Sequence, residues 1–227
     1  MLQLTNSERK KEALRYLGYK NQELDKITDE LIDDAMDEIS TIANGRYIYK
    51  TFNILRDESS LILEATNFHL IGEDIKNHLN KSEKCILIGA SLGHDVDKKI
   101  RYYEKISMTK ALILDACATV YIEELCDTIC QEIEIDLKAV GKSLTSRYSP
   151  GYGDLPISVQ NHFLSILDAK KQIGLTATSS SILIPRKSVT AIAGIISKDE
   201  VKKNSSCSNC NKYNTCMYAK EGYGCGR

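Results

Sequence analysis

The stretch SRYSPGYGDLP, Ser146 to Pro156, sets the tightest local limit on what this chain can fold into. It carries two of the chain's three prolines, two glycines, two tyrosines, an arginine and an aspartate in succession. Proline fixes its own backbone and has no N–H to give, so neither a helix interior nor a central strand can run through it. The stretch must be a stiff loop, and it must hold Arg147 and Tyr152 out for some purpose.

The elements around that loop follow from periodicity. Leu14, Leu17, Leu24, Ile27, Leu31 and Ile32 recur near helical spacing, which predicts helix from residue 7 to about 45. RYIYKTFNIL (46–55) is aromatic and β-branched and reads as a strand, DESS as a turn, and LILEATNFHL (61–70) as a return strand. A short helix is expected after Gly72, a buried strand over 84–93, and a helix over HDVDKKIRYYEKI. Ser107 can cap a helix from about 108 to 135. After the loop come a helix over 157–172 and strands in LTATSSSILIP and SVTAIAGIIS. Helices and strands arrive in blocks, without steady β–α alternation. That order predicts an α+β domain with a mainly antiparallel twisted sheet and flanking helices. The sequence divides into an N-terminal helical region (1–45), a main domain (46–197), and a linker with a Cys-rich tail (198–227).

Composition narrows the function classes. A net charge of −1 supplies no field to draw the chain to nucleic acid or an acidic membrane. The longest apolar run, near ALILDACATVYI, is broken by Asp115 and falls short of a membrane span, and the first residues lack a signal-peptide core. The chain is expected to be cytoplasmic, with its eight cysteines reduced or bound to metal.

The helix expected at 108–135 has two stripes. Leu114, Ala118, Tyr121, Leu125 and Ile129 form a core stripe; Ala116, Thr119, Glu123, Cys126 and Cys130 form a second. Small residues on the second face let a ligand or another backbone come close, and a carboxylate among them would want a cationic partner. Pattern alone leaves Glu123 either as this partner or as an ordinary solvated acid. The loop poses the same choice. Arg147 can grip a carboxylate in fixed orientation. Gly151 allows close approach, Tyr152 offers a ring and a hydroxyl, and unpaired loop N–H groups can meet a polar edge. The alternative is a rigid turn with Arg147 paired to a surface acid.

RYSPGYGD resembles the R-x-x-P-G-Y signature of the activation domain of cobalamin-dependent methionine synthase. YIEELCD before it, and IGLTAT and PRKSVTA after it, fit in order; the last is similar to that family's P-x-x-S-V-S. The resemblance spans roughly residues 45 to 197 and is nearest to short, free-standing versions. It implies an S-adenosylmethionine-binding subunit that supports reductive methylation of cob(II)alamin, with a flavodoxin-like protein as electron donor. It further implies that Arg147, Gly151 and Tyr152 belong to the ligand loop, Ser149 to a main-chain contact, and Glu123 to a side-chain contact with S-adenosylmethionine. It assigns no catalytic residue and no turnover to the chain alone. YGDLP replaces the family's Y-P-A-C-P, which leaves Asp154 without a counterpart. No D-x-H-x-x-G cobalamin motif is present, so the corrinoid would be carried by a partner, a methionine synthase or another corrinoid protein.

The tail brings four further candidates. Cys207 and Cys210 have a metal-knuckle spacing, and Cys216 and Cys225 could complete a site for zinc or an iron–sulfur cluster. Two other functions therefore stay open: an iron–sulfur redox activator of corrinoid proteins, and a zinc-knuckle interaction module.

Overall fold

A computed structural model describes residues 4–20, 22–57 and 60–200. The chain begins with helices α1 (Asn6–Tyr16) and α2 (Lys26–Ile42), followed by strands β1 (Arg46–Arg56), β2 (Leu61–Leu63) and β3 (His69–Leu70). Next come α3 (Glu73–His78), β4 (Lys84–Ser91), α4 (His94–Ile106) and α5 (Met108–Ala139). The last part holds β5 (Lys142–Leu144), α6 (Gln160–Leu167), α7 (Ala169–Ile173), β6 (Thr176–Ala177), β7 (Leu183–Ile184) and β8 (Ser188–Ser197).

Six strands form one sheet in the order β3-β2-β1-β4-β8-β5, and every pairing in it is antiparallel. β6 and β7 make a separate antiparallel pair. The expected α+β class is therefore what the chain adopts. Central β4 is buried along CILIGAS because helices cover both of its faces. Ile86, Ile88 and Ala90 join α1, α2, α4 and α5 in one core; Cys85 and Leu87 join α3, α6 and α7 in another. That division is the period-two alternation of a strand read out on two sides. Among the described residues no helix is long and apolar enough to cross a membrane.

Several expected elements are shorter than periodicity suggested. The helix from 7 to about 45 is two helices, broken where Gly18 adopts φ +82° and Asp25 caps α2. The return strand 61–70 is interrupted by a turn with Ala65 at φ 60°. The helix over 157–172 begins as a short 3-10 turn and breaks at Asp168, which is left-handed. Each break falls where helical or alternating spacing continues on both sides, so pattern alone bridged it.

Candidate functional site

α5 is the floor of the site. Ser107 caps it, accepting a hydrogen bond from the Lys110 amide, as the sequence implied. Four-residue steps place Asp115, Thr119, Glu123 and Asp127 in one row along it. Two cations from distant segments come down on that row. Lys187 Nζ lies 2.9 Å from Asp115 Oδ1 and donates to Thr119 Oγ1 at 2.9 Å. Arg147 Nη2 meets Glu123 Oε2 at 2.8 Å, and Nη1 meets Asp127 Oδ1 at 2.6 Å and faces Cys130 Sγ at 3.9 Å. The second stripe is thus a covered face, with Ala116 and Cys126 buried beneath the ion pairs. Burial works against the Arg147 charge. The hydrogen bond it donates to Asp127, together with the Asp127 charge and the Cys126 and Cys130 groups beside it, more than offsets that burial, so its pKa is raised.

Arg147 is held by a loop that is tied to the fold at three points. Tyr148 exchanges two backbone hydrogen bonds with Ile192 of β8, each 2.8 Å. Tyr148 also donates its hydroxyl proton to the Tyr152 carbonyl at 3.0 Å. His78 lies under the loop: its Nε2 is 2.9 Å from the Ser146 carbonyl oxygen and its ring is 5.1 Å from that of Tyr148. Burial lowers the His78 pKa, and the Ser146 carbonyl opposes that shift only partly; facing a carbonyl oxygen, Nε2 is the nitrogen that donates. The third tie is Asp154. Its carboxylate accepts from the amides of Glu73 at 2.5 Å and Asp74 at 3.1 Å, capping α3 from outside that helix. Gly72, at φ 139°, leaves room for it; a Cβ there would collide with the Asp154 carboxylate. Asp154, which had no assignable counterpart in the family resemblance, is the clamp that joins the loop to α3.

The loop's own turn uses Gly151 at φ 90°. Gly151 N–H donates to the Leu155 carbonyl at 2.9 Å, and Tyr152 N–H donates to the Ser149 carbonyl at 3.0 Å. These two amides are thus spent on the loop itself, where a polar ligand edge was expected to meet them. Ser149 is half-buried, and Tyr152 stands 59% exposed at the tip. Arg147 and Glu123 are therefore brought together. Ser149, Gly151 and Tyr152 form the adjoining turn.

Sequence reasoning missed Asp127, Asp115 and Lys187. Asp115 and Asp127 continue the four-residue steps through Thr119 and Glu123, outside the stripe of alternating three- and four-residue steps that holds Glu123. Lys187 was present in PRKSVTA without an assigned partner. Buried Asp97 places it, accepting from the Arg186 amide at 2.6 Å and the Lys187 amide at 3.4 Å. A cavity of about 270 Å³ lies elsewhere, between α2, α4 and α5, lined by Asp34, Glu38, Tyr103, Lys110 and others. None of the site candidates lines it. Its Glu38 is already bound by Lys99 at 2.6 Å and the Tyr103 hydroxyl at 2.9 Å. Volume alone gives that cavity no chemistry, whereas the α5 row joins convergent charges to a fixed loop.

Cys85, Cys117 and Cys126 are buried, and burial pushes each thiol up to about 12. They are inert core residues. Among the described residues no group of three or more His, Cys, Asp or Glu side chains could hold a metal ion. Cys207, Cys210, Cys216 and Cys225 lie outside the described residues.

Neither a family model nor a curated protein matches the chain. Among solved structures the α+β fold has a counterpart. That counterpart is the crystal structure of the MetH reactivation domain bound to AdoHcy, with a TM-score of 0.60 at 13% sequence identity. The match covers 93% of this chain and 80% of that one. The chain has the fold of the MetH reactivation domain.

Proposed function

We propose that this chain binds S-adenosylmethionine where the 146–156 loop lies on α5, in a groove that the ligand opens by parting Arg147 from Glu123. In this reading it is a cytoplasmic activation subunit for reductive methylation of cob(II)alamin. The observation that carries the reading is the Arg147–Glu123 pair, presented by an anchored Pro–Gly loop in a fold shared with an AdoHcy-bound domain. The amino-acid end of S-adenosylmethionine has one carboxylate and one ammonium. Inserted between Arg147 and Glu123, it exchanges one ion pair for two and keeps the charge balance of the groove. Asp127 keeps Arg147 oriented before the ligand arrives. Ser149 and Gly151 shape the turn beside the ligand, and Tyr152 faces the docking protein.

The residues of this chain bind and orient; they supply no acid, base or nucleophile. The cobalamin belongs to a partner, a cobalamin-dependent methionine synthase or another corrinoid protein, with a flavodoxin-like donor of electrons. Methyl transfer needs the sulfonium methyl close to the cobalt and in line with it, so the partner must dock over the loop. Alone, the chain turns over nothing. In the same reading Cys207, Cys210, Cys216 and Cys225 hold zinc or an iron–sulfur cluster, which metal analysis of anaerobically purified protein distinguishes.

Calorimetric titration with S-adenosylmethionine tests the binding, with Arg147→Ala as the control. Saturable binding lost in the variant supports the reading; absent or unchanged binding refutes it. The visible spectrum of a cobalamin-loaded methionine synthase lacking its own activation domain tests the role. With donor, S-adenosylmethionine and this chain present, the cob(II)alamin band should give way to methylcobalamin. Tyr152→Ala should impair that conversion more than it impairs ligand binding. Persistence of the band refutes the assignment of partner.

A further inference from the structure

We infer that the free edge of β1 pairs with the same edge of a second copy, joining two sheets into one across a twofold axis. β1 lies between β4 and β2, but its two partners do not cover it equally. β4 pairs with it from Arg46 to Asn53, whereas β2 pairs only from Ile54 to Arg56. After Leu63 the chain turns away at Ala65. From Arg46 to Phe52 the outer edge therefore has no strand beside it among the described residues.

The direction of the backbone groups follows from antiparallel alternation. Ile54 N–H donates toward the β4 side, to the Glu83 carbonyl at 2.8 Å, and the Asn53 carbonyl accepts from Glu64 on the β2 side at 3.0 Å. Even-numbered residues thus address β4, and Tyr47, Tyr49 and Thr51 turn their N–H and C=O groups outward. The sheet's other edges, β3 and β5, are two and three residues long. RYIYKTF has no proline, glycine or acidic residue to blunt the β1 edge, and its charges are Arg46 at one end and Lys50. Its one central charge, Lys50, is turned aside, donating to the Ile166 carbonyl at 2.8 Å. Tyr47 and Tyr49 are each 40% exposed.

A second copy fits this edge by register. Placed antiparallel with Tyr49 opposite Tyr49, the strand sets Tyr47 opposite Thr51 and Thr51 opposite Tyr47. These are the residues whose backbone groups point outward. Three donors and three acceptors on each copy then satisfy one another in full. Aromatic and β-branched residues face each other across the join, a favourable pairing in antiparallel sheets. Lys50 falls opposite Ile48 and Arg46 opposite Phe52, so no like charges are directly opposed. A net charge of −1 sets up little repulsion between copies. The contact is isologous and closed, since each copy offers one such edge.

The test is the mass of the full chain in solution by sedimentation equilibrium. Wild type should show twice the chain mass in the micromolar range, and Tyr49→Pro should run as a monomer. That substitution deletes an outward N–H and leaves the β4 ladder intact. Tyr49→Lys and Tyr49→Glu should each be monomeric, because residue 49 faces itself, and an equimolar mixture of the two should dimerise again. Thermal melts identify any variant that fails to fold; if Tyr49→Pro does, the Lys and Glu pair decides. A monomeric wild type, as when a partner peptide or the chain's own tail occupies the edge, overturns the proposal. So does a dimer that survives both charge variants, or a mixture that stays monomeric.

Discussion

The ion-pair row on α5 makes a prediction in which neighbouring acids have opposite signs. Arg147 divides its guanidinium between Glu123 and Asp127, and its side chain is 23% exposed while theirs are 42% and 34%. Pairs this accessible contribute little to stability, so Arg147→Ala should cost only about 1 kcal/mol of folding free energy. Its effect on S-adenosylmethionine should be larger, because a ligand carboxylate drawn into the groove loses its charge-assisted partner. A loss of about 2 kcal/mol, or roughly 30-fold in Kd, is expected. Glu123→Gln should weaken binding by a similar factor, since it removes the partner of the ligand ammonium. Asp127→Asn should do the reverse. It keeps an oxygen that can orient Arg147 but removes a negative charge beside the ligand carboxylate, and should tighten binding by about 1 kcal/mol, roughly five-fold. Calorimetry on the three variants, each checked by thermal melting, measures these differences. If Asp127→Asn weakens binding as much as Glu123→Gln, the two acids share the ammonium and the ligand does not lie in the proposed orientation. If Arg147→Ala binds within about two-fold of wild type, Arg147 is only a structural tie.

Three further perturbations follow from the geometry. Glu124, one step round the helix from Glu123, accepts from Arg9 Nε at 2.8 Å and Nη2 at 2.9 Å and from the Leu4 amide at 3.1 Å. Glu124→Ala should strip that partly buried guanidinium of its carboxylate, cost about 2 kcal/mol, and lower the melting midpoint by about 4–8 °C; a midpoint within about 1 °C of wild type would discount the α1–α5 clamp. Asp154→Ala removes the cap of α3 and should cost about 1 kcal/mol, read in the same melts, with some loosening of the ligand loop; unchanged stability would discount the cap. His78 has a lowered pKa in the folded state because it is buried, so the unfolded chain binds its proton more readily below about pH 6.5. Its contribution is complete above that pH and is lost as pH falls toward the folded value, so stability should decline on acidification. His78→Gln should flatten that decline; an identical pH profile in the variant would rule out His78 as its source.

Much of the fold was legible because the apolar pattern was strong. The β-branched run of β1, the unbroken run of β4 and the Ser107 cap all marked their elements within a few residues. The breaks at Gly18 and Asp168 were hidden because apolar residues keep near-helical spacing on both sides of each. Arg147 and Glu123 were picked out by the motif resemblance and by side-chain chemistry. Asp127 was passed over because the stripe was drawn at alternating three- and four-residue steps, and strict four-residue steps lead to it instead.

Asp154 shows why the remainder was out of reach. Nothing in YGDLP distinguishes a capping carboxylate from a solvated one, because its partners, the Glu73 and Asp74 amides, lie 80 or more residues earlier. The same holds for Asp97, which reaches from α4 to the amides before β8. Both carboxylates fix a loop bearing a cation that ends on α5: Asp154 the loop of Arg147, Asp97 the loop of Lys187. In each case the visible motif is the loop and the hidden part is the acid that aims it. The two acids sit at α3 and α4, on opposite sides of β4, so the α5 row is aimed from both layers of the fold. A substitution in either anchor should therefore reach the groove without touching it, through the position of the cation it holds.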